Sequence, residues 1–243
     1  MTEEEFRTEM AIWYDLLIPR LPEHCACGKK FTVDHSMICK KGGFVCQRHN
    51  EVRDITFEFM SEVCKKVEIE PLLQPLSGEK LRYATANKQD NARLDLSSYG
   101  FWTRGERAFF DLRVFDPTAP SYINQRLETA HRKQEEQKRL CYEERVINVE
   151  HASFTPLVFT IAGGMGKLAQ RFYSRIADML AESRGQPKSV ITAWMRSRLS
   201  VSLVRSSVRC VKGTRSRYTS PTEIQDTDIQ SAVSVGRITV GEW

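Results

Sequence analysis

Apolar residues recur at intervals of three and four over 6–17 (Phe6, Met10, Ile12, Trp13, Leu16, Leu17), and Pro19 and Pro22 close that run, which predicts a short amphipathic helix. The same spacing over 50–67 (Val52, Ile55, Phe59, Val63) predicts a second helix with one buried stripe. Residues 69–73 read as a short strand that Pro71 confines to an edge or an end. After a polar, loop-like stretch over 77–91, apolar runs over 92–102 and 107–115 read as strands, the second ended by Asp116-Pro117. A long helix rich in Gln, Glu, Arg and Lys covers 122–149, and an apolar strand over 154–161 breaks at Gly163-Gly164. Helices over 166–183 and 188–212 follow. The Ser/Thr/Asp-rich tail, 219–243, is expected to be loose, with Ile238-Thr239-Val240 as a segment that could pair. Strands interleaved with long helices predict an α/β domain with a mixed sheet.

Two of the strand-like runs hold a lone acid. Asp95 lies in Arg93-Leu94-Asp95-Leu96, and Asp111 lies in Ala108-Phe109-Phe110-Asp111-Leu112-Arg113-Val114-Phe115. A carboxylate in an apolar strand is costly unless it binds a metal or meets a partner. Strand alternation puts Phe109, Asp111, Arg113 and Phe115 on one face and Phe110, Leu112 and Val114 on the other. Asp95 on the preceding strand can reach the same cleft, and two carboxylates there suit Mg²⁺ (or Mn²⁺). Such an ion activates water and neutralises phosphoryl charge. On the next helix Lys138 and Tyr142 share a face, with His131 and Glu135 nearly in line. Tyr142 marks that face as inward, so Lys138 can be aimed at the acids. A purely structural alternative has Asp95 and Asp111 in ion pairs with Arg93, Arg104 or Arg107.

Residues 23–49 hold four of the seven cysteines and three of the five histidines. Cys25, Cys27, His35 and Cys39 form Cys-x-Cys-x7-His-x3-Cys, a donor set suited to tetrahedral zinc. Cys46 and His49 add a Cys-x2-His pair, so the segment is richer than one site needs. The alternative is a small core of reduced cysteines with His49 heading the next helix.

At 243 residues, 41% hydrophobic and 28% charged, the chain can bury one substantial core plus an appendage. No apolar run approaches the length of a membrane span, the acidic start Met1-Thr2-Glu3-Glu4-Glu5 is unlike a secretion signal, and an odd number of irregularly placed cysteines argues for a reduced, intracellular protein. The net charge of +5 is unevenly spread: no acid lies between Glu182 and Glu223, where nine Lys and Arg residues fall. There Ile191, Trp194, Met195, Leu199, Leu203, Val204, Val208 and Val211 form an apolar stripe that reads as core packing, flanked by Arg196, Arg198, Arg205 and Arg209, which are free to follow a nucleic-acid backbone.

The order of these segments resembles the PD-(D/E)XK, or restriction-endonuclease-like, superfamily. Within it they are similar to the endonuclease domains of non-LTR retrotransposons and related animal retroelement proteins. The matching elements are Arg93-Leu94-Asp95-Leu96, Phe110-Asp111-Leu112-Arg113-Val114 with Pro117, Lys138 with Tyr142, and Phe154-Thr155-Pro156-Leu157-Val158 with Gly163-Gly164, within a resemblance that spans roughly 20–215. It implies a restriction-endonuclease-like αβββαβ core with a mixed sheet, metal-dependent hydrolysis of DNA, and a nuclear location; RNA is the other candidate substrate. Two departures stand out. Leu94 replaces the motif proline, and Arg113 stands where a lysine follows the second acid. Arginine stays protonated and cannot act as a base, so Lys138 becomes the displaced lysine and Arg113 a phosphate clamp. The resemblance also nominates Glu51 as an acid from the first helix, and Cys25, Cys27, His35 and Cys39 as zinc ligands with Cys46 a bystander, just before Arg48-His49-Asn50. The expected organisation is an N-terminal helix (1–22), a zinc-knuckle-like segment (23–49), the nuclease-like domain (50–185), a basic helix packed on the core (186–218) and the tail (219–243). The alternative function is a catalytically inactive nuclease fold that only binds nucleic acid.

Overall fold

The computed structural model describes residues 2–215, so the tail and its Ile238-Thr239-Val240 segment lie outside the described residues. The order of elements is α1 (Glu3–Trp13), α2 (Val33–Ile38), α3 (Phe44–Ser61), β1 (Lys65–Ile69), β2 (Leu96–Tyr99), β3 (Arg107–Phe115), α4 (Leu127–Asn148), β4 (Ser153–Thr160), α5 (Lys167–Arg184) and α6 (Lys188–Lys212). The four strands form one sheet in the order β1-β2-β3-β4. The first two pairings are antiparallel, whereas β3 and β4 run parallel, with Ala108 opposite Ser153 and Phe115 opposite Thr160. Parallel neighbours need a long crossover, and α4 supplies it. The protein is thus α/β with a mixed sheet and two C-terminal helices.

The alternation read along β3 places its side chains as expected. Phe110 and Leu112 join Val52 and Phe59 of α3, Phe172 and Ile176 of α5, and Leu199 of α6 in the main core. Phe109, on the opposite face, packs with Leu94, Tyr142 and Val146, and Phe115 packs with Ala130. The crossover helix differs from the others. The side chains that α4 buries include His131, Gln134, Glu135, Lys138, Tyr142 and Arg145, a stripe with hardly an aliphatic in it. A helix that turns polar groups inward must satisfy each of them on the sheet or its loops. Arg145, fully buried, donates through Nη1 and Nη2 to the carbonyls of Gln74, Asn87 and Gln89, which ties down the 74–92 loop.

Several boundaries differ from the sequence expectation. The first helix covers Glu3–Trp13 rather than 6–17, because Thr2 and Glu5 form a reciprocal capping box ahead of it. The helix expected over 50–67 begins at Phe44, so Cys46 and His49 belong to α3 and not to the cysteine segment. It ends at Ser61, and the strand expected at 69–73 forms over Lys65–Ile69 instead. That strand is Lys-Lys-Val-Glu-Ile at the sheet edge, where charge prevents further pairing and also hides the strand from an apolar search. Residues 69–73 keep only the isolated bridge Leu72–Arg93. The strand expected over 92–102 shrinks to Leu96–Tyr99, since at Asp95 a side-chain oxygen takes over the β3 amide that a backbone carbonyl would otherwise accept. The short helix α2, capped by Thr32, was not foreseen. No helix among the described residues is long and apolar enough to cross a membrane.

Candidate functional site

Asp111 and Lys138 meet first. Asp111 projects from the middle of β3 toward α4, and Lys138 projects from the middle of α4 toward the sheet, so that Nζ lies 2.8 Å from Asp111 Oδ2 with both side chains almost wholly buried. The Tyr142 ring sits one turn further along α4, its centroid 5.8 Å from Nζ, and the side chain is buried among Leu73, Leu94 and Phe109. The ring closes the apolar side of the ion pair. Attraction between buried charges is strong because little water screens it, and desolvating them costs a comparable amount.

Asp95 sits just before β2, one position beyond the Leu96–Phe110 pair. Its Oδ2 accepts the Leu112 N–H at 2.5 Å and lies 3.2 Å from Nε2 of His49. The same His49 nitrogen is 3.3 Å from the Leu112 carbonyl oxygen, while Nδ1 lies 3.4 Å from Asn50 Oδ1. One imidazole nitrogen therefore lies against both a carboxylate oxygen and a backbone carbonyl at the end of the β2–β3 ladder. Of the arginines near these strands, Arg93 donates to the Glu70 carbonyl and Arg107 pairs with Glu68, while the acid in the middle of β3 meets Lys138. His49 was not among the expected site residues, although it stands in the Arg48-His49-Asn50 segment. The signal that could have found it is an imidazole on the helix that leads into the sheet, facing the strand that carries the second acid.

Beside these groups opens a cavity of about 310 Å³, lined by Arg113, Lys138, His49, Arg48 and Lys40 among others. Its acidic lining residue, Asp116, is committed to its own turn, accepting from the Thr118 N–H and hydroxyl. The cavity is accordingly cationic, and Arg113 stands on the same face of β3 as Asp111.

Glu51 is not part of this site. It faces α6, where it accepts from Ser206 and pairs with Arg209 at 2.5 Å. His49 and Glu51 are two residues apart, about 200° around a helix, so only one of them can face the sheet. The arginines of α6 are likewise largely engaged with acids of the same chain: Arg198 with Glu58 at 2.5 Å, Arg205 with Glu5 at 3.8 Å, and Arg209 with Glu51. Arg196 instead lines a groove between α5 and α6, together with Lys167, Arg171 and Lys188.

The cysteine segment forms a second centre. The ligand atoms of Cys25, Cys27, His35 and Cys39 all lie within 4.8 Å of one another, the one group of three or more His, Cys, Asp or Glu side chains with this spacing among the described residues. Cys25 Sγ and Cys39 Sγ are 3.6 Å apart, and Cys27 Sγ is 3.2 Å from His35 Nε2. Thiolates around tetrahedral zinc stand about 3.8 Å apart, so the preformed spacing fits such an ion. Local structure makes the cluster: Gly28 turns the chain at φ +88° between Cys27 and Lys29, Thr32 caps α2 by accepting the His35 N–H, and Cys39 follows the last turn of α2. The Lys29 amide holds the Cys27 thiol below its usual range, and burial holds the His35 imidazole below its own, which favours the two ligand forms zinc requires. Burial pushes the Cys39 thiol up to about 11; a bound cation reverses that preference. Cys46 lies apart, in the first turn of α3.

The two centres are connected. Fully buried Arg48 donates to the Met37 carbonyl, and Arg215 stacks on both Phe31 and Phe44 while donating to the Ser36 carbonyl. These contacts seat the segment on α3 and on the C-terminal end of α6, so that Met37, Ile38 and Lys40 form one wall of the cationic cavity. Neither a family model nor a curated protein matches this chain.

Proposed function

We propose that this protein is a divalent-metal-dependent nuclease of the restriction-endonuclease-like kind, of retroelement origin, hydrolysing phosphodiester bonds in DNA. The observation that carries the reading is the buried Lys138–Asp111 ion pair beside Asp95, reached through the succession α3-β1-β2-β3-α4-β4. Placing two acids and a lysine in one dry corner costs folding energy, and proteins retain such arrangements where they serve chemistry. The donors fit a hard divalent cation, Mg²⁺ or Mn²⁺: Asp95 and Asp111 supply carboxylate oxygens, and Leu112 supplies a carbonyl. When bound, such an ion polarises the scissile phosphate and makes water a better nucleophile. Lys138 then orients the attacking water and stabilises charge on the phosphoryl oxygens. Arg113, fixed in its protonated form, clamps a non-bridging oxygen. Lys40 and Arg48 add positive potential along the cavity. Zinc at Cys25, Cys27, His35 and Cys39 holds the cavity wall in place, and a nuclear location belongs to the same proposal.

A second reading, a nuclease fold that binds DNA without cutting it, is favoured by Arg113 standing where a lysine is expected. The test incubates the zinc-loaded protein with supercoiled DNA and Mg²⁺ or Mn²⁺, beside Asp111→Asn and Lys138→Met variants. Nicked or linear products from the wild type alone support the enzyme. Equal inertness of all three rejects it, and DNA retention on a gel then favours the binder.

A further inference from the structure

The His49 contacts go beyond two carboxylates and a lysine. The N–H and C=O of one strand residue point the same way, and at Leu112 both face the side on which β2 would continue. Because β2 starts at Leu96, neither group meets a backbone partner there: the N–H is taken by Asp95 Oδ2, and the carbonyl lies against His49 Nε2. The imidazole nitrogen is thus 3.2 Å from one hard oxygen and 3.3 Å from another. Adjacent ligands of an octahedral ion bound at about 2.1 Å stand about 3 Å apart. A neutral imidazole N–H could aim well at one of these oxygens and only poorly at both. A cation shared by nitrogen, carboxylate and carbonyl uses all three donors.

We propose that His49 Nε2 is a ligand of a divalent cation held with Asp95 Oδ2 and the Leu112 carbonyl, and that this mixed nitrogen–oxygen set makes the site prefer Mn²⁺ over Mg²⁺. The proposal rests on the nuclease reading in that this cation is the one that reading requires. Imidazole suits transition ions, whereas Mg²⁺ binds oxygen and keeps its waters; Mn²⁺ accepts both donor types. The imidazole is well placed to hold such an ion. It sits on α3, which Val52 and Phe59 anchor in the main core, next to Arg48 with its hydrogen bond to the Met37 carbonyl.

The experiment titrates zinc-loaded full-length protein with Mn²⁺ and separately with Mg²⁺ by calorimetry, and records electron spin-echo modulation of the Mn²⁺ complex. The wild type is expected to bind Mn²⁺ more tightly than Mg²⁺ and to show ¹⁴N coupling from a directly bound imidazole. His49→Gln removes that coupling and weakens Mn²⁺ binding by about 10-fold or more, at least as much as loss of a residue that only orients a ligand, with a much smaller effect on Mg²⁺. His49→Asp restores binding through oxygen, without the ¹⁴N signal and without the preference for Mn²⁺, which separates loss of a ligand from loss of the fold. Unchanged ¹⁴N coupling and affinity in His49→Gln, with binding lost in Asp95→Asn, overturns the role of His49 and leaves the nuclease reading standing. Equal Mn²⁺ binding by wild type and Asp95→Asn means that no ion is held at Asp95, and both readings fail together.

Discussion

Lys138 Nζ lies 2.8 Å from Asp111 Oδ2, and the two side chains are only 5% and 2% exposed. This ion pair joins the centre of the crossover helix to the centre of β3, the strand flanked by both its antiparallel and its parallel neighbour. It is therefore a structural tie in its own right, and its part in the proposed chemistry can be measured separately.

Removing one partner leaves a buried charge without its counter-ion. Lys138→Met or Asp111→Asn alone should lower stability by about 3–5 kcal/mol. The double variant should recover a large part of that loss, because both charges are gone and the cavity keeps its volume. Urea unfolding of the four proteins measures the coupling. If the double variant regains stability yet cuts no DNA, the pair serves catalysis; if the two single losses simply add, the ion pair contributes nothing to the fold.

Chelation tests the cysteine centre. Extracting a metal with a strong chelator should release one zinc per chain and loosen the wall formed by Met37, Ile38 and Lys40, since zinc binding at such sites contributes directly to folding. Metal analysis and hydrogen exchange over residues 23–43 check it. Cys39→Ser should abolish the zinc, whereas Cys46→Ser should leave the stoichiometry at one. Zinc retained by Cys39→Ser would rule out these four ligands.

A third prediction concerns Glu135, which reaches from α4 to the start of α5 and accepts the Leu168 N–H at 3.1 Å. The helix N-terminus has no side-chain cap of its own, so a carboxylate there satisfies an orphan donor. Burial raises the pKa of Glu135 above its ordinary value of 4.5, against the opposing pull of the Leu168 amide, Arg139 and Lys167. Between that value and the raised one, the folded protein holds more of the proton than the unfolded chain does. Stability therefore falls as pH rises through this window. Glu135→Gln should remove that slope, and chemical unfolding across about pH 4 to 8 compares the two proteins. The packing is tight as well: a Cβ on Gly166 would overlap Glu135 Oε1, so Gly166→Ala should push that carboxylate off the Leu168 N–H and flatten the same slope.

The face assignment along β3 was legible because strand alternation is local, and Phe109, Phe110, Asp111 and Leu112 read the same in isolation as in the sheet. Tyr142 marked the inward face of α4 for the same kind of reason, a helical period of four residues. The cysteine–histidine spacing was legible because a few turns close that loop without help from the rest of the chain. Glu51 was not legible. Helical periodicity shows that residues 49 and 51 point to different sides, but not which side meets the sheet, and the packing of α3 against α6 settles that. The charged edge strand Lys65–Ile69 was missed because its pairing comes entirely from β2.

By itself the sequence determined the α/β class, the alternation along β3, the inward face of α4 and the grouping of Cys25, Cys27, His35 and Cys39, all of which follow from local spacings. The tertiary structure alone decided that Lys138 pairs with Asp111, that His49 rather than Glu51 meets Asp95, and that three arginines of α6 are held by acids from α1 and α3. Those are long-range choices among many like-charged residues, and local periodicity carries no information about which helix will lie against which strand.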